Sequence, residues 1–194
     1  METVNKNTLS RRTLAKGALW SAPVLAASST VPALAISDEH APMEVSGFVG
    51  FYKECITGRP GVLTLDGTGM YPVRGFWIME AEPSTVAVNA KLTYYLPDFL
   101  KEVNWTPQKN NGEWTTPRID MAVPPKSGFV AFSTTYYGEW DYDEEDAVLR
   151  TITGPSFRGT FSTRTCPSSI TTYALRTVTA DDITITEERG PNQL

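Results

Sequence analysis

Apolar and polar positions alternate with a period of two over most of the chain beyond residue 43. The clearest run is Thr85–Tyr95, with Val86, Val88, Ala90, Leu92 and Tyr94 on one face and Thr85, Asn89, Lys91 and Thr93 on the other. Successive side chains of a strand point to opposite faces, so this run predicts a half-buried antiparallel strand. Ile119, Met121 and Val123 alternate with Arg118, Asp120 and Ala122 in the same way. Phe157, Gly159, Phe161 and Thr163 alternate with Arg158, Thr160, Ser162 and Arg164, and Ile183 and Ile185 alternate with Thr184 and Thr186. Glu44–Cys55 reads as the first strand run. Phe129–Tyr137 is apolar or aromatic on both faces, which predicts a central strand covered on both sides. Pro97–Glu102 has room for one short helical turn.

Turn chemistry separates these runs. Gly58-Arg59-Pro60-Gly61, Asp66-Gly67-Thr68-Gly69, Asn110-Asn111-Gly112 and Thr153-Gly154-Pro155 each supply residues that reach positive φ or hold φ fixed. No stretch keeps a 3.6-residue apolar stripe over three turns. Roughly ten short strands with turns between them predict an all-β chain, built as a two-sheet antiparallel β-sandwich of immunoglobulin-like or jelly-roll topology. Trp77, in Gly75-Phe76-Trp77-Ile78-Met79, is the tryptophan expected to fill the sandwich core. There is no internal repeat or linker. Residues 44–194 read as one domain and residues 36–43 as a polar lead-in.

The first 35 residues follow a different pattern. Arg11, Arg12 and Lys16 make a basic opening, Gly17–Leu34 is mildly apolar, and Ala33-Leu34-Ala35 ends it with small residues. That is the layout of an export signal cut between Ala35 and Ile36. Ser10-Arg11-Arg12-Thr13-Leu14-Ala15-Lys16 resembles the bacterial twin-arginine signal family, whose pattern is S-R-R-x-F-L-K. The wording of the leader looks like that of secreted actinobacterial proteins. The resemblance covers residues 1–35 and implies that the protein folds before it is exported. Pro23, Pro32 and several hydroxyls interrupt the apolar stretch, so it falls short of a membrane span. The expected location is the medium or the cell envelope, without stable membrane insertion.

Charge and cysteines change meaning once the leader is set aside. The leader carries four of the 17 basic residues and one of the 22 acidic ones, so the remaining 159 residues hold 13 against 21, a net charge of −8. Such a balance repels phosphate backbones and excludes nucleic acid as a partner class. Cys55 and Cys166 are the chain's two cysteines. Outside the cytosol two cysteines in one domain pair, here closing a loop of 110 residues. The one histidine, His40, lies just beyond the cut. A histidine in a tail cannot be held against a nucleophile, which excludes triad hydrolases and histidine-based zinc sites.

Carboxylates remain as chemistry. Gly138-Glu139-Trp140-Asp141-Tyr142-Asp143-Glu144 contains E-x-D-x-x-E. The pattern is similar to the catalytic strand of the laminarinase-like glycoside hydrolases, which are β-jelly-rolls. That resemblance implies Glu139 as nucleophile, Asp141 as its hydrogen-bond partner and Glu144 as acid/base. Retaining hydrolysis needs the two carboxyls about 5–5.5 Å apart. Trp140 and Tyr142 stand where that family has aliphatics, and the run continues into Glu145 and Asp146. The same run supports calcium as a cofactor, with Asp141, Asp143, Glu145 and Asp146 as oxygen ligands, although the EF-hand glycine and spacing are absent. A solvated acidic hairpin accounts for it without either.

Trp105 and Trp114 flank the polar Gln108–Gly112 turn, and Trp140 lies beside the acidic run. These three are the aromatics expected at the surface, where they would stack on sugar rings or anchor a partner. The preferred function is a non-enzymatic exported binding or structural module at the cell surface or in the medium, with an extracellular glycan or protein as partner, the oligomeric state left open and no cofactor required. The alternative is a small carbohydrate-active enzyme using Glu139 and Glu144.

Overall fold

A computed structural model describes residues 42–56, 58–109, 111–162 and 167–194. The export-signal residues Arg11, Arg12, Ala35 and Ile36 lie outside the described residues, as do His40 and Cys166. Among the described residues thirteen strands follow in order: β1 Glu44–Phe48, β2 Gly50–Glu54, β3 Gly61–Asp66, β4 Gly75–Met79, β5 Ala87–Pro97, β6 Asn104–Pro107, β7 Arg118–Ile119, β8 Phe129–Thr135, β9 Trp140–Asp143, β10 Val148–Thr151, β11 Ser156–Phe161, β12 Thr171–Ala180 and β13 Ile183–Gln193. No α-helix occurs among the described residues, and Asp98–Leu100 makes the one short turn of 3-10 helix expected after Pro97.

The all-β expectation holds, and every strand pairing among the described residues is antiparallel. The strands form three sheets, of order β1-β4-β10-β9, β2-β3-β11-β6 and β13-β12-β5-β8-β7. The two four-stranded sheets exchange strands repeatedly. β1 runs into β2 through Val49 alone, so the Glu44–Cys55 run is split between sheets. β10 passes to β11 at a second crossing, where Gly67 N donates to Pro155 O at 2.7 Å. A side chain on Gly154 would collide there with the Gly67 carbonyl, which requires glycine.

All three sheets close on one core. Leu63, Leu65, Phe76, Ile78, Leu92 and Phe157 are almost fully buried within it. A smaller cluster of Tyr95, Val123, Ala131 and Leu175 covers the other face of the five-stranded sheet. That second cluster is why β8 is apolar on both faces, as its sequence predicts.

Two alternating runs depart from expectation. Val86 and Val88 are exposed, whereas Ala87, Ala90, Leu92 and Tyr94 face or pack against the core. The cause is an irregularity in register between β5 and β12, where Asn89 adopts φ 55°. One extra residue in a strand reverses the parity of everything before it. The run at 118–123 is a strand only at Arg118–Ile119. Met121 is 90% exposed and only Val123 is buried, because the chain turns away from the sheet after Ile119.

Candidate functional site

Register on the first four-stranded sheet sorts its side chains into two faces. Val45, Phe76, Ile78 and Leu149 point into the core. The intervening positions therefore face outward, and three pairings bring four of them into one row. Ser46 on β1 opposes Trp77 on β4, Trp77 opposes Arg150 on β10, and Arg150 opposes Asp141 on β9. Directly opposed residues share a face, so these side chains cross the sheet side by side, over about 14 Å at the usual strand spacing.

Trp77, Arg150 and Asp141 of this row line an open cavity of about 280 Å³, walled by Met70, Tyr71 and Arg74 from the loop before β4. Tyr71 meets Trp77 edge-on, with ring centroids 5.1 Å apart and planes at 88°. The Arg150 guanidinium lies 5.7 Å from the Tyr71 ring centroid. Arg150 Nε and Nη2 donate to Asp141 Oδ2 at 2.9 and 2.7 Å, and Nη1 donates to Asp143 Oδ2 at 3.2 Å. On the other wall Arg74 pairs with Asp66 at 3.3 Å and donates to the Tyr52 hydroxyl at 2.8 Å. Burial pushes the Tyr71 hydroxyl above its ordinary pKa, and the neighbouring Asp146 carboxylate adds to this. The tyrosine is therefore a neutral hydroxyl at physiological pH. The cavity thus combines aromatic rings with guanidinium–carboxylate forks whose charges are largely matched.

The acidic run is divided by its strand. In Trp140-Asp141-Tyr142-Asp143 the aromatics face the core side and the aspartates face outward, so β9 is an edge strand with alternating character. Glu139 precedes β9 and Glu144 follows it, both exposed. An extended strand between them separates the two by on the order of 15 Å. That is far from the spacing two carboxyls need for retaining hydrolysis. Asp141 and Asp143 face Arg150, while Asp143 Oδ1 accepts the Glu145 N–H at 3.2 Å and closes the hairpin turn. Asp146 reaches Tyr71. Among the described residues, no three His, Cys, Asp or Glu side chains are grouped to hold a metal ion.

The expected surface tryptophans are core residues. Trp105 is 6% and Trp114 is 2% exposed. Trp105 sits behind Gly159 and Phe132, and Trp114 packs on Phe76 and Tyr136. Both were expected outside because a polar turn separates them, but each belongs to chain on the inner side of that turn. Trp140 is partly buried against Phe76 and Tyr136. Trp77, expected in the core, is buried at 8% exposed, but on the opposite face of its strand from Phe76 and Ile78, under the Tyr71 ring. Every position from Gly75 to Met79 is apolar or glycine, so alternation carries no signal there, and only pairing with Ser46 and Arg150 reveals its side. Tyr71, Arg74 and Arg150 had no motif to mark them.

Cys55 directly follows β2. Two residues earlier, Lys53 Nζ donates to the carbonyls of Pro167 and Ser168 at 2.8 and 3.0 Å. No described helix is long and apolar enough to cross a membrane.

No protein-family model matches this chain, and no curated protein matches it. A solved structure described as "AvmM Catalyzes Macrocyclization in Alchivemycin A Biosynthesis" aligns over 75% of this chain and 92% of its own. Its sequence identity is 8% and its TM-score 0.23, a likeness that carries no argument about fold or function.

Proposed function

We propose that this protein is an exported, non-enzymatic binding module that recognises a glycan in the cleft over Trp77. The observation that carries it is the cavity in which Trp77, Arg150 and Asp141, neighbours across three strands, meet Tyr71. Sugars present apolar ring faces edged by hydroxyls. An aromatic floor flanked by hydroxyl, guanidinium and carboxylate groups matches both features. Matched charges suit a site that discriminates by hydrogen bonds and stacking. The separation of Glu139 from Glu144 favours binding over hydrolysis.

Three further elements belong to the same proposal. The leader supports export by the twin-arginine route. The shared core supports a sandwich in which the two strand-exchanging sheets form one layer and the five-stranded sheet the other. The Lys53 bonds to Pro167 and Ser168 bring the chain next to Cys166 towards the end of β2, which supports a Cys55–Cys166 disulfide. The deciding experiment is a glycan-array screen of the purified chain beside Trp77→Ala. Glycan binding that disappears in a folded Trp77→Ala protein is expected. Binding that survives it unchanged would move the site elsewhere.

A further inference from the structure

We infer that the cleft continues into a second cavity that reads a carboxylate, so that the ligand is an acidic glycan chain. This rests on the glycan reading of the first cleft. The second cavity, about 310 Å³, lies between the β1–β2 corner and β12–β13 and is lined by Phe48, Tyr52, Tyr94, Arg176, Arg189 and Asn192 among others.

The two cavities share a wall. Arg74 lines the first, and its guanidinium lies 5.5 Å from the Phe48 ring centroid and 6.0 Å from that of Tyr52, which line the second. Both rings are about half exposed. The outward row is also continuous with the second cavity, because Arg189 Nη2 donates to Ser46 Oγ at 3.0 Å. An extended ligand lying along Asp141, Arg150, Trp77 and Ser46 therefore arrives at Arg189.

The cavities differ in charge. In the first, Arg150 faces two aspartates and Arg74 faces Asp66. In the second, Arg176 Nη1 and Arg189 Nε share one side-chain carboxylate, Glu187, at 3.1 and 2.8 Å. Both guanidiniums also donate to the Gly47 carbonyl, at 2.9 and 3.1 Å. Among the described side chains, two cations thus have one anion between them. Arg176 is 4% exposed, and its Nε has no hydrogen-bond partner among the described residues. A buried cation so incompletely matched favours an anion nearby. Arg189, with 41% of its side chain exposed, is the group that a ligand carboxylate would meet. The row runs along sheet faces and not along a free strand edge, which suits a sugar chain better than an added peptide strand.

The test is isothermal titration of the full chain with a neutral gluco-oligosaccharide and with the glucurono-oligosaccharide of equal length. The acidic chain is expected to bind at least tenfold more tightly, and the preference is expected to shrink with added salt. Arg189→Gln should abolish the preference, and Trp77→Ala should weaken binding of both sugars. Equal wild-type affinities, or a preference that survives in Arg189→Gln, would overturn the inference and leave the cleft assignment standing. Binding of neither sugar would overturn the cleft assignment itself. Should Arg189→Gln fail to fold, amide shifts of the wild type decide: the acidic sugar must perturb Arg189 and Asn192, and the neutral one only the surroundings of Trp77.

Discussion

Trp77 and Arg150 stand directly opposite each other on neighbouring antiparallel strands, both on the outward face, with the Asp141 carboxylate holding the guanidinium in place. Arg150→Ala should therefore separate binding from stability. The ion pairs of Arg150 are partly exposed, and pairs of that kind contribute about 0–1 kcal/mol. The melting temperature is expected to move by only a few degrees, whereas glycan affinity falls at least tenfold. Calorimetry of the variant, with and without sugar, measures both. A large loss of stability with binding intact would reverse the assignment.

Trp105 and Trp114 are both buried but differently partnered. Trp114 Nε1 donates to the Thr153 carbonyl at 2.8 Å, while Trp105 Nε1 has no hydrogen-bond partner among the described residues. Replacement by phenylalanine removes a hydrogen bond in one case and an orphan donor in the other. Leaving a buried acceptor unsatisfied costs about 1–3 kcal/mol. Trp114→Phe is expected to exceed Trp105→Phe by that amount in urea titrations, and equal costs would contradict the bonding described.

Asn89 occupies the left-handed region at φ 55°, where β-branched residues are strained. Asn89→Gly should be neutral or slightly stabilising, and Asn89→Val should cost about 1–2 kcal/mol. A valine variant as stable as the wild type would mean that the extra residue of β5 sits elsewhere.

Asp120 fastens the turn after β7 to the five-stranded sheet. Burial tends to raise its pKa, but hydrogen bonds from Ala122 N–H and Lys91 outweigh burial and hold it below the ordinary value. A depressed carboxyl stabilises the fold above its unfolded pKa, about 3.9, and that contribution is lost as pH falls through the folded value. Asp120→Asn should therefore lower the melting temperature at pH 7 and converge on the wild type in acid. A difference that widens on acidification would refute the assignment.

The proposed Cys55–Cys166 bridge would close a loop of 110 residues, worth roughly 4–5 kcal/mol at most on the chain-entropy model. A protein that folds before export must be stable without it. Reductant is expected to lower the melting temperature and leave the protein folded at room temperature. Peptide mapping without reduction should recover the two cysteines in one cross-linked species.

Period-two alternation, turn residues and the lack of a helical stripe were enough to read an antiparallel all-β chain. The reason is local: a strand's two faces meet different solvents, so polarity alternates wherever one face is wet. Core positions such as Phe157 and Phe161, the interior place of β8 between β5 and β7 and the short turn after Pro97 followed from that alone. The same logic failed wherever parity depended on something distant. Asn89 shifted the register of β5, so Val86 and Val88 turned outward. The uniformly apolar Gly75–Met79 gave no hint that Trp77 is buried on the opposite face from Phe76 and Ile78, and the polar turn between Trp105 and Trp114 did not show that both tryptophans lie inside. The acidic run was visible as a cluster, yet its roles were set by cross-strand partners. Residues 77, 141 and 150 are far apart in sequence and become neighbours only through the pairing of β4, β10 and β9. Composition and strand character are properties of segments, and the sequence determined them. Which side chains face one another across a sheet depends on register between segments, and only the tertiary structure decided that.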